Sequence, residues 1–409
     1  MNEFWTQQTI TMAIGMVVSL VAMIVLPMVS KLVDEQLGYF FLAIGGVMLW
    51  LAFRTGSVVF EDGSFVQHLM HGHKEGLHTV LTEPWMLVLC YFALSLLSVL
   101  FRRRIEKTIR AWTQRMSPEM MVGLWTLVFG SLGSISVVVM ATLGAIFFRT
   151  LQQVTRRNYT PSVVAYSATI GISALLTTVG EPLSLFIARN LGQGTPYLVR
   201  TFGGVCIINC VFLAYVAWLL ARKAQPLAES VEERMVREAH EAEREVEQQG
   251  SGGEVREALQ AVEAYEEQKH NLTHEVDGLL HSTTKVMFFV WGLLFFGEAV
   301  KPVAAHIFGG MHPIVAFFGN SISAVADNAL LGLLEVQPGM DQSVVMILGL
   351  SLAFWGVGLV PGNICNVVLK EKLGISFGTW AKYGMPLAFV LAALNLVLVL
   401  LGAGRWLTF

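Results

Sequence analysis

The sequence predicts an all-α membrane protein folded as an inverted repeat, and three observations carry that expectation. The 409 residues are 54% hydrophobic and only 14% charged, against roughly 25% charge in soluble domains. Apolar runs near the ~20 residues needed to cross ~30 Å of hydrocarbon recur along the chain. Four of these runs are interrupted in the middle, and the interruptions fall into two sets of the same order.

Residues 1–84 contain two unbroken runs, 9–29 and 37–53, followed by an external loop. Met1 to Gln8 lacks the basic stretch of a cleavable signal, so the first run is expected to stay as a helix. Both helices lie outside the repeat and would serve as a scaffold or as a homodimer surface. Residues 85–221 form the first repeat. A helix at 85–101 is followed by a run at 119–148 broken by Gly130-Ser131-Leu132-Gly133-Ser134, a run at 162–190 broken by Gly180-Glu181-Pro182, and a helix at 198–221. Residues 278–409 repeat the order, with a helix at 282–300, breaks at Gly319-Asn320-Ser321 (in 312–335) and Pro361-Gly362-Asn363 (in 343–369), and a helix at 384–402. Backbone broken at membrane depth is tolerated only where it is buried in protein or lines a cavity, so four breaks point to a site.

Between the repeats, 222–277 carries 15 of the 30 acidic residues and only 7 of the 27 basic ones, with a Gly250-Ser251-Gly252-Gly253 interruption. It reads as a solvated, partly helical linker. A regulatory or partner-binding arm is the alternative.

Charge fixes an orientation. Arg102, Arg103, Arg104, Lys107, Arg110 and Arg115 precede the 119–148 run, and Arg149, Arg156 and Arg157 follow it. Cytoplasmic loops hold the excess of Lys and Arg, so this run enters and leaves on the cytoplasmic side as a re-entrant hairpin. Continuing along the chain makes 222–277 cytoplasmic, makes 312–335 a hairpin entered from outside, and returns 343–369 to a cytoplasmic loop with Lys370, Lys372 and Lys382. Both termini then lie outside an inner, cytoplasmic membrane.

The halves also align residue by residue. At an offset of 182, Gly180 meets Gly362, Glu181 meets Asn363, Ser184 meets Asn366, and Gly192 meets Gly374; at an offset of 189, Gly130 meets Gly319, Ser131 meets Asn320, and Ser134 meets Ser323. Helix, hairpin, broken helix, helix, repeated with opposite topology, is the architecture of an inverted-repeat secondary transporter with two re-entrant hairpins and two broken transmembrane helices.

Asp327, in the apolar stretch Ser323 to Leu331, is the leading site residue and is taken as the only charge of the C-terminal hairpin. A carboxylate inside a membrane segment costs roughly 2.5 to 3.5 kcal/mol even on a lenient scale and is a functional hypothesis by default. Asn320, Ser323 and Asn328 offer neutral oxygens of the kind a hard cation takes. Glu181, beside Ser184, is the second carboxylate, with capping of the following half-helix as its alternative role. Asn363 and Asn366 face it across the expected axis, and Ser131 and Ser134 line the other hairpin tip. Asp327, Asn320 and Asn363 are the expected Na⁺ ligands.

Other patterns carry less. Cys90, Cys206, Cys210 and Cys365 all sit in apolar segments and read as small core residues. The histidines 68, 71, 73 and 78 have neither a helical-face nor a zinc-module spacing. No phosphate-binding loop, catalytic triad or HExxH pattern occurs, so neither an enzyme nor nucleic-acid binding is expected, and no cofactor beyond the transported ions.

Ser323-Ala324-Val325-Ala326-Asp327-Asn328 resembles the Ser-Ala-x-x-Asp-Asn hairpin motif of antiporters in the ion transporter superfamily. Val360-Pro361-Gly362-Asn363-Ile364-Cys365-Asn366 is similar to the Pro-Gly-Asn-Ile-Pro-Asn motif of its sodium/proton antiporter families. The similarity covers roughly 85–402 apart from the linker. The chain departs from the pattern at Cys365, where the motif has proline, and at Val138 and Val139, which stand opposite Asp327 and Asn328. The resemblance implies Na⁺/H⁺ antiport by alternating access, with lipid and small inorganic ions as the partners. A symporter or exporter of a small anion, or a channel, is the alternative.

Overall fold

A computed structural model describes residues 7–55, 107–227, 312–325, 328–336 and 339–402, together with scattered residues within 89–105 and 280–303. The described residues are helical, and no strand occurs among them; one isolated bridge joins Arg157 to Pro226. The histidines 68 to 78, Cys90 and nearly all of the 222–277 linker lie outside the described residues.

The helices are α1 (Gln7–Val29), α2 (Lys31–Glu35), α3 (Leu37–Arg54), α4 (Pro118–Trp125), α5 (Val137–Thr155), α6 (Thr160–Ser173), α7 (Pro182–Asn190) and α8 (Thr195–Arg222). The second half holds α9 (Pro313–Gly319), α10 (Asn328–Glu335), α11 (Gln342–Trp355), α12 (Ile364–Leu373) and α13 (Phe377–Leu400). Five of them, α1, α3, α5, α8 and α13, are long and apolar enough to cross a membrane. In the sequence the apolar run ends at 148. The helix instead runs on to Thr155, because Ser136 caps its start through Val139 N and no breaker intervenes before Arg156 turns left-handed at φ 53°.

The surface is inverted relative to a water-soluble protein. Ile14, Val18, Val21, Val47, Ile207, Val211 and Phe389 are exposed, while Asn209, Asn320, Asn328, Asn363, Asn366, Asn395, Glu181 and Glu335 are buried. An apolar exterior of this extent would aggregate in water and is matched by lipid.

The breaks fall where glycine, proline and asparagine predict. α6 passes into a 3₁₀ turn at Ala174–Leu176 before α7 begins at Pro182. Likewise α11 is followed by a 3₁₀ turn at Val360–Gly362 before α12 begins at Ile364. Element boundaries repeat with the sequence offset: Thr160 and Ser173, the ends of α6, lie 182 positions before Gln342 and Trp355, the ends of α11. The starts of α7 and α12, and of α8 and α13, are separated by the same 182. Gly192 and Gly374, which follow the two half-helices, share left-handed backbone at φ 62° and 64°, a conformation glycine adopts without steric cost.

Packing is reciprocal as well. α7 lies against α10 of the other half, and α12 lies against α5 of the first. The Arg157–Glu119 ion pair at 3.0 Å brings the second residue after α5 beside the start of α4. The amino-terminal helices dock through small residues: a Cβ at Gly38 would strike the Lys285 carbonyl and one at Gly45 the Gly292 carbonyl, the close backbone approach of membrane helix pairs. On the same side, Lys370 Nζ lies 3.1 Å from Asp34 Oδ1, and both Asp34 carboxylate oxygens accept from Phe377 N at 3.2 Å.

Candidate functional site

The two helix breaks and the start of α10 meet at one carboxylate. Glu181 follows the Thr177 to Gly180 turn and precedes Pro182, whose ring disfavours helical backbone in the residue before it. Its side chain is therefore set at the mouth of α7 rather than on a helix face, and it is 5% exposed. Asn328 Nδ2 donates to Glu181 Oε1 at 2.6 Å, and Asn363 Nδ2 donates to Oε2 at 3.3 Å. Asn363 uses its other amide atom on its own helix, Oδ1 accepting from Cys365 N at 3.2 Å.

Glu181 immediately precedes α7, Asn328 opens α10, and Asn363 caps α12. Three helix amino-termini thus converge on a single buried acid. Each carries partial positive charge worth about 0.3–1 kcal/mol to a nearby anion, more when partly buried. The arrangement compensates an ionised Glu181. The same field would hold a small anion if Glu181 were neutral.

The glycine before each break makes this approach possible. A Cβ on Gly180 would lie 2.7 Å from Ala174 O and 3.1 Å from Ser134 O, and one on Gly362 would lie 2.5 Å from Gly356 O and 2.8 Å from Ser323 O. Each break is thereby pressed on a serine carbonyl of its own half, at the two serines that the sequence alignment pairs.

The remaining expected residues divide by role. Asn366 Oδ1 accepts from Ser167 Oγ at 2.7 Å, while its Nδ2 donates to Gly356 O and Leu359 O at 2.8 Å each, closing the carbonyls left open by the break. Ser184 Oγ donates to Thr177 O at 2.6 Å and Glu181 O at 2.8 Å. Thr177 Oγ1 in turn donates to Ser134 O. Ser131 Oγ donates to Leu127 O at 2.5 Å, Ser134 Oγ to Ser131 O at 3.5 Å, and Ser323 Oγ to Leu352 O at 3.2 Å. These hydroxyls satisfy carbonyls where the helices unwind; they hold the frame around Glu181. Asp327, next in sequence to Asn328, lies outside the described residues.

Two sequence expectations are corrected. Asp327 is not the only charge in the C-terminal hairpin: Glu335, the last residue of α10, is a second carboxylate and is 4% exposed. Asn320 does not join Asn363. Its Nδ2 donates to Glu335 Oε2 at 2.9 Å and to Ser351 Oγ at 2.7 Å, whereas Asn363 Nδ2 donates to Glu181. Glu335 could have been noticed as the one acid ending the apolar stretch Leu330-Leu331-Gly332-Leu333-Leu334, but nothing in sequence pairs it with Asn320.

Among the described residues no group of three or more His, Cys, Asp or Glu side chains is placed to hold a metal ion. No curated protein matches the chain. A family model described as protein of unknown function, DUF1646, matches residues 13–401, nearly the whole sequence, and the chain belongs to that family.

Proposed function

We propose that the protein is a secondary active transporter of the inner membrane, an Na⁺/H⁺ antiporter in which Glu181 binds Na⁺ or a proton in turn by alternating access. The observation that carries this reading is the buried Glu181 carboxylate, held by one amide from each of two separate C-terminal elements at the meeting point of two helix breaks. An intramembrane acid at broken helices is where secondary transporters bind coupling ions. The repeated element boundaries support an inverted repeat, with α4–α5 and α9–α10 as its hairpins. The sequence resemblance to sodium/proton antiporters points the same way.

Purified protein in proteoliposomes, with a proton-sensitive dye inside, tests it. Adding Na⁺ outside should drive proton release in the wild type and not in Glu181→Gln, which keeps the shape and removes the charge. Undiminished Na⁺-driven proton flux in Glu181→Gln would remove Glu181 from the mechanism. The convergence of three helix amino-termini favours a second reading, proton-coupled movement of a small anion. Dye response to a dicarboxylate or an oxyanion, with none to Na⁺, would select it.

A further inference from the structure

Asn363 meets Glu181 through its amide nitrogen, and three contacts fix that orientation. The first is the backbone of Cys365. An N–H can only donate, so the atom facing it must be the amide oxygen: Asn363 Oδ1 accepts from Cys365 N at 3.2 Å, and Nδ2 is turned the other way. The second is the Cys365 thiol, which is buried and whose Sγ donates to the same Oδ1 at 3.2 Å. Ser167 O at 3.5 Å and Asn366 Oδ1 at 3.8 Å are its other acceptors, and Asn363 Oδ1 is the nearest of the three. An amide oxygen has two lone pairs. One N–H and one S–H occupy both.

The third contact lies on α6 of the other half. A Cβ at Gly171 would stand 2.7 Å from Asn363 Nδ2, so the amide nitrogen passes through the space of a missing side chain on its way to Glu181 Oε2 at 3.3 Å. Gly171 sits inside the helix and is not among the glycines with left-handed backbone. Glycine is unfavourable in a helix interior; what it provides here is room for the amide.

Neither end of this amide suits a metal cation. The oxygen has no lone pair left to offer, and the nitrogen presents hydrogen. Asn328 also meets the acid through nitrogen, at 2.6 Å from Oε1, so each carboxylate oxygen carries one N–H donor.

We infer that Cys365 and Gly171 are positioning residues for Glu181. They fix the Asn363 amide with its nitrogen on the carboxylate and its oxygen closed, so Asn363 holds the acid as a donor and is not a ligand of the transported cation. A cation arriving at Glu181 competes with the Nδ2 hydrogen for Oε2 and gains no oxygen from Asn363. The identity of the cation rests on the antiport reading; the orientation of the amide does not.

Thermal unfolding of the full chain in detergent tests the geometry without reference to transport. Gly171→Ala should lower the midpoint in the wild type and leave it nearly unmoved in Asn363→Ser, where serine keeps the helix cap and puts nothing opposite the new Cβ. Should Gly171→Ala alone not fold, recovery of folding in Asn363→Ser carries the same result. Equal shifts in the two backgrounds would place the Gly171 contact elsewhere and overturn the inference. The Na⁺ dependence of proton flux in proteoliposomes at alkaline pH tests the role. Proline supplies neither donor and is tolerated in the first turn of a helix, so Cys365→Pro should open the amide oxygen and lower KM for Na⁺ about 2- to 10-fold, the worth of one hydrogen bond. Cys365→Ser, which returns an O–H to that oxygen, should restore the wild-type KM. Asn363→Ser should lower KM as well, because Oε2 loses a competing donor. A raised KM in Asn363→Ser would make Asn363 a cation ligand and overturn the inference, as would a wild-type KM in Cys365→Pro. Wild-type protein without Na⁺-driven flux would overturn the antiport reading alone, and the unfolding comparison then decides the orientation of the amide.

Discussion

The break between α6 and α7 and the break between α11 and α12 have the same backbone and opposite chemistry. Both leave a 14-residue helix, both place a glycine against a serine carbonyl of the same half, and both are followed, beyond the next half-helix, by a left-handed glycine. At the corresponding position one carries Glu181 and the other Asn363, and the two side chains are hydrogen-bonded to each other. The lesson is that the repeat duplicates a frame and not a site. Two carboxylates at this distance would repel and share a proton, so the duplicated frame accommodates one charge and one amide.

The sharpest way to break that comparison is to exchange the two residues. Glu181→Asn alone should reduce ion-driven flux to background. Glu181→Asn combined with Asn363→Glu should recover a measurable part of it, because the carboxylate returns to the same contact from the other frame. A double variant no better than the single would mean that the frames are not interchangeable.

A second prediction compares the glycines. Gly362→Ala should lower stability by about 1–3 kcal/mol, the usual range for overpacking a tight site, and Gly180→Ala by less, since its closest approach is 2.7 Å rather than 2.5 Å. Thermal unfolding in detergent reads both, and the reverse order would refute the argument from backbone clearance. The smallest effect belongs to Ser184→Ala, which loses a hydroxyl bonded to two carbonyls and should cost about 1 kcal/mol, leaving the flux and its cation dependence unchanged.

Much of this frame is legible in the sequence because its signals are local. Gly-Glu-Pro and Pro-Gly-Asn stop helices by mechanisms confined to a few residues, and the 182 offset follows from them. The meeting of Glu181 with Asn363 was foreshadowed by their alignment. The Asn328 contact was not, because it is made between elements 147 positions apart and depends on how α10 packs on α7. The pairing of Asn320 with Glu335 escaped for a related reason: the contact spans 15 positions across a change from the 3₁₀ turn Asn320–Ala324 to α10, and periodicity within one element does not register it. The amides also divide in a way that composition hides. Asn366 looks like a ligand beside Asn363, yet its side-chain amide is engaged by Ser167, the Cys365 thiol and two open carbonyls.

The Lys370–Asp34 pair, described above as a docking contact, makes α12 a strut fastened at both ends. At one end Asn363 holds the Glu181 carboxylate; seven residues on, about 10 Å by the helical rise, Lys370 is locked to Asp34 of α2, between α1 and α3. A rigid strut cannot tilt at the centre without loading its far anchorage. The two amino-terminal helices, which stand outside the repeat, are therefore the abutment against which any rearrangement around Glu181 must push, and removing them together with α2 would take the Asp34 carboxylate from an ammonium group that their presence helps to bury.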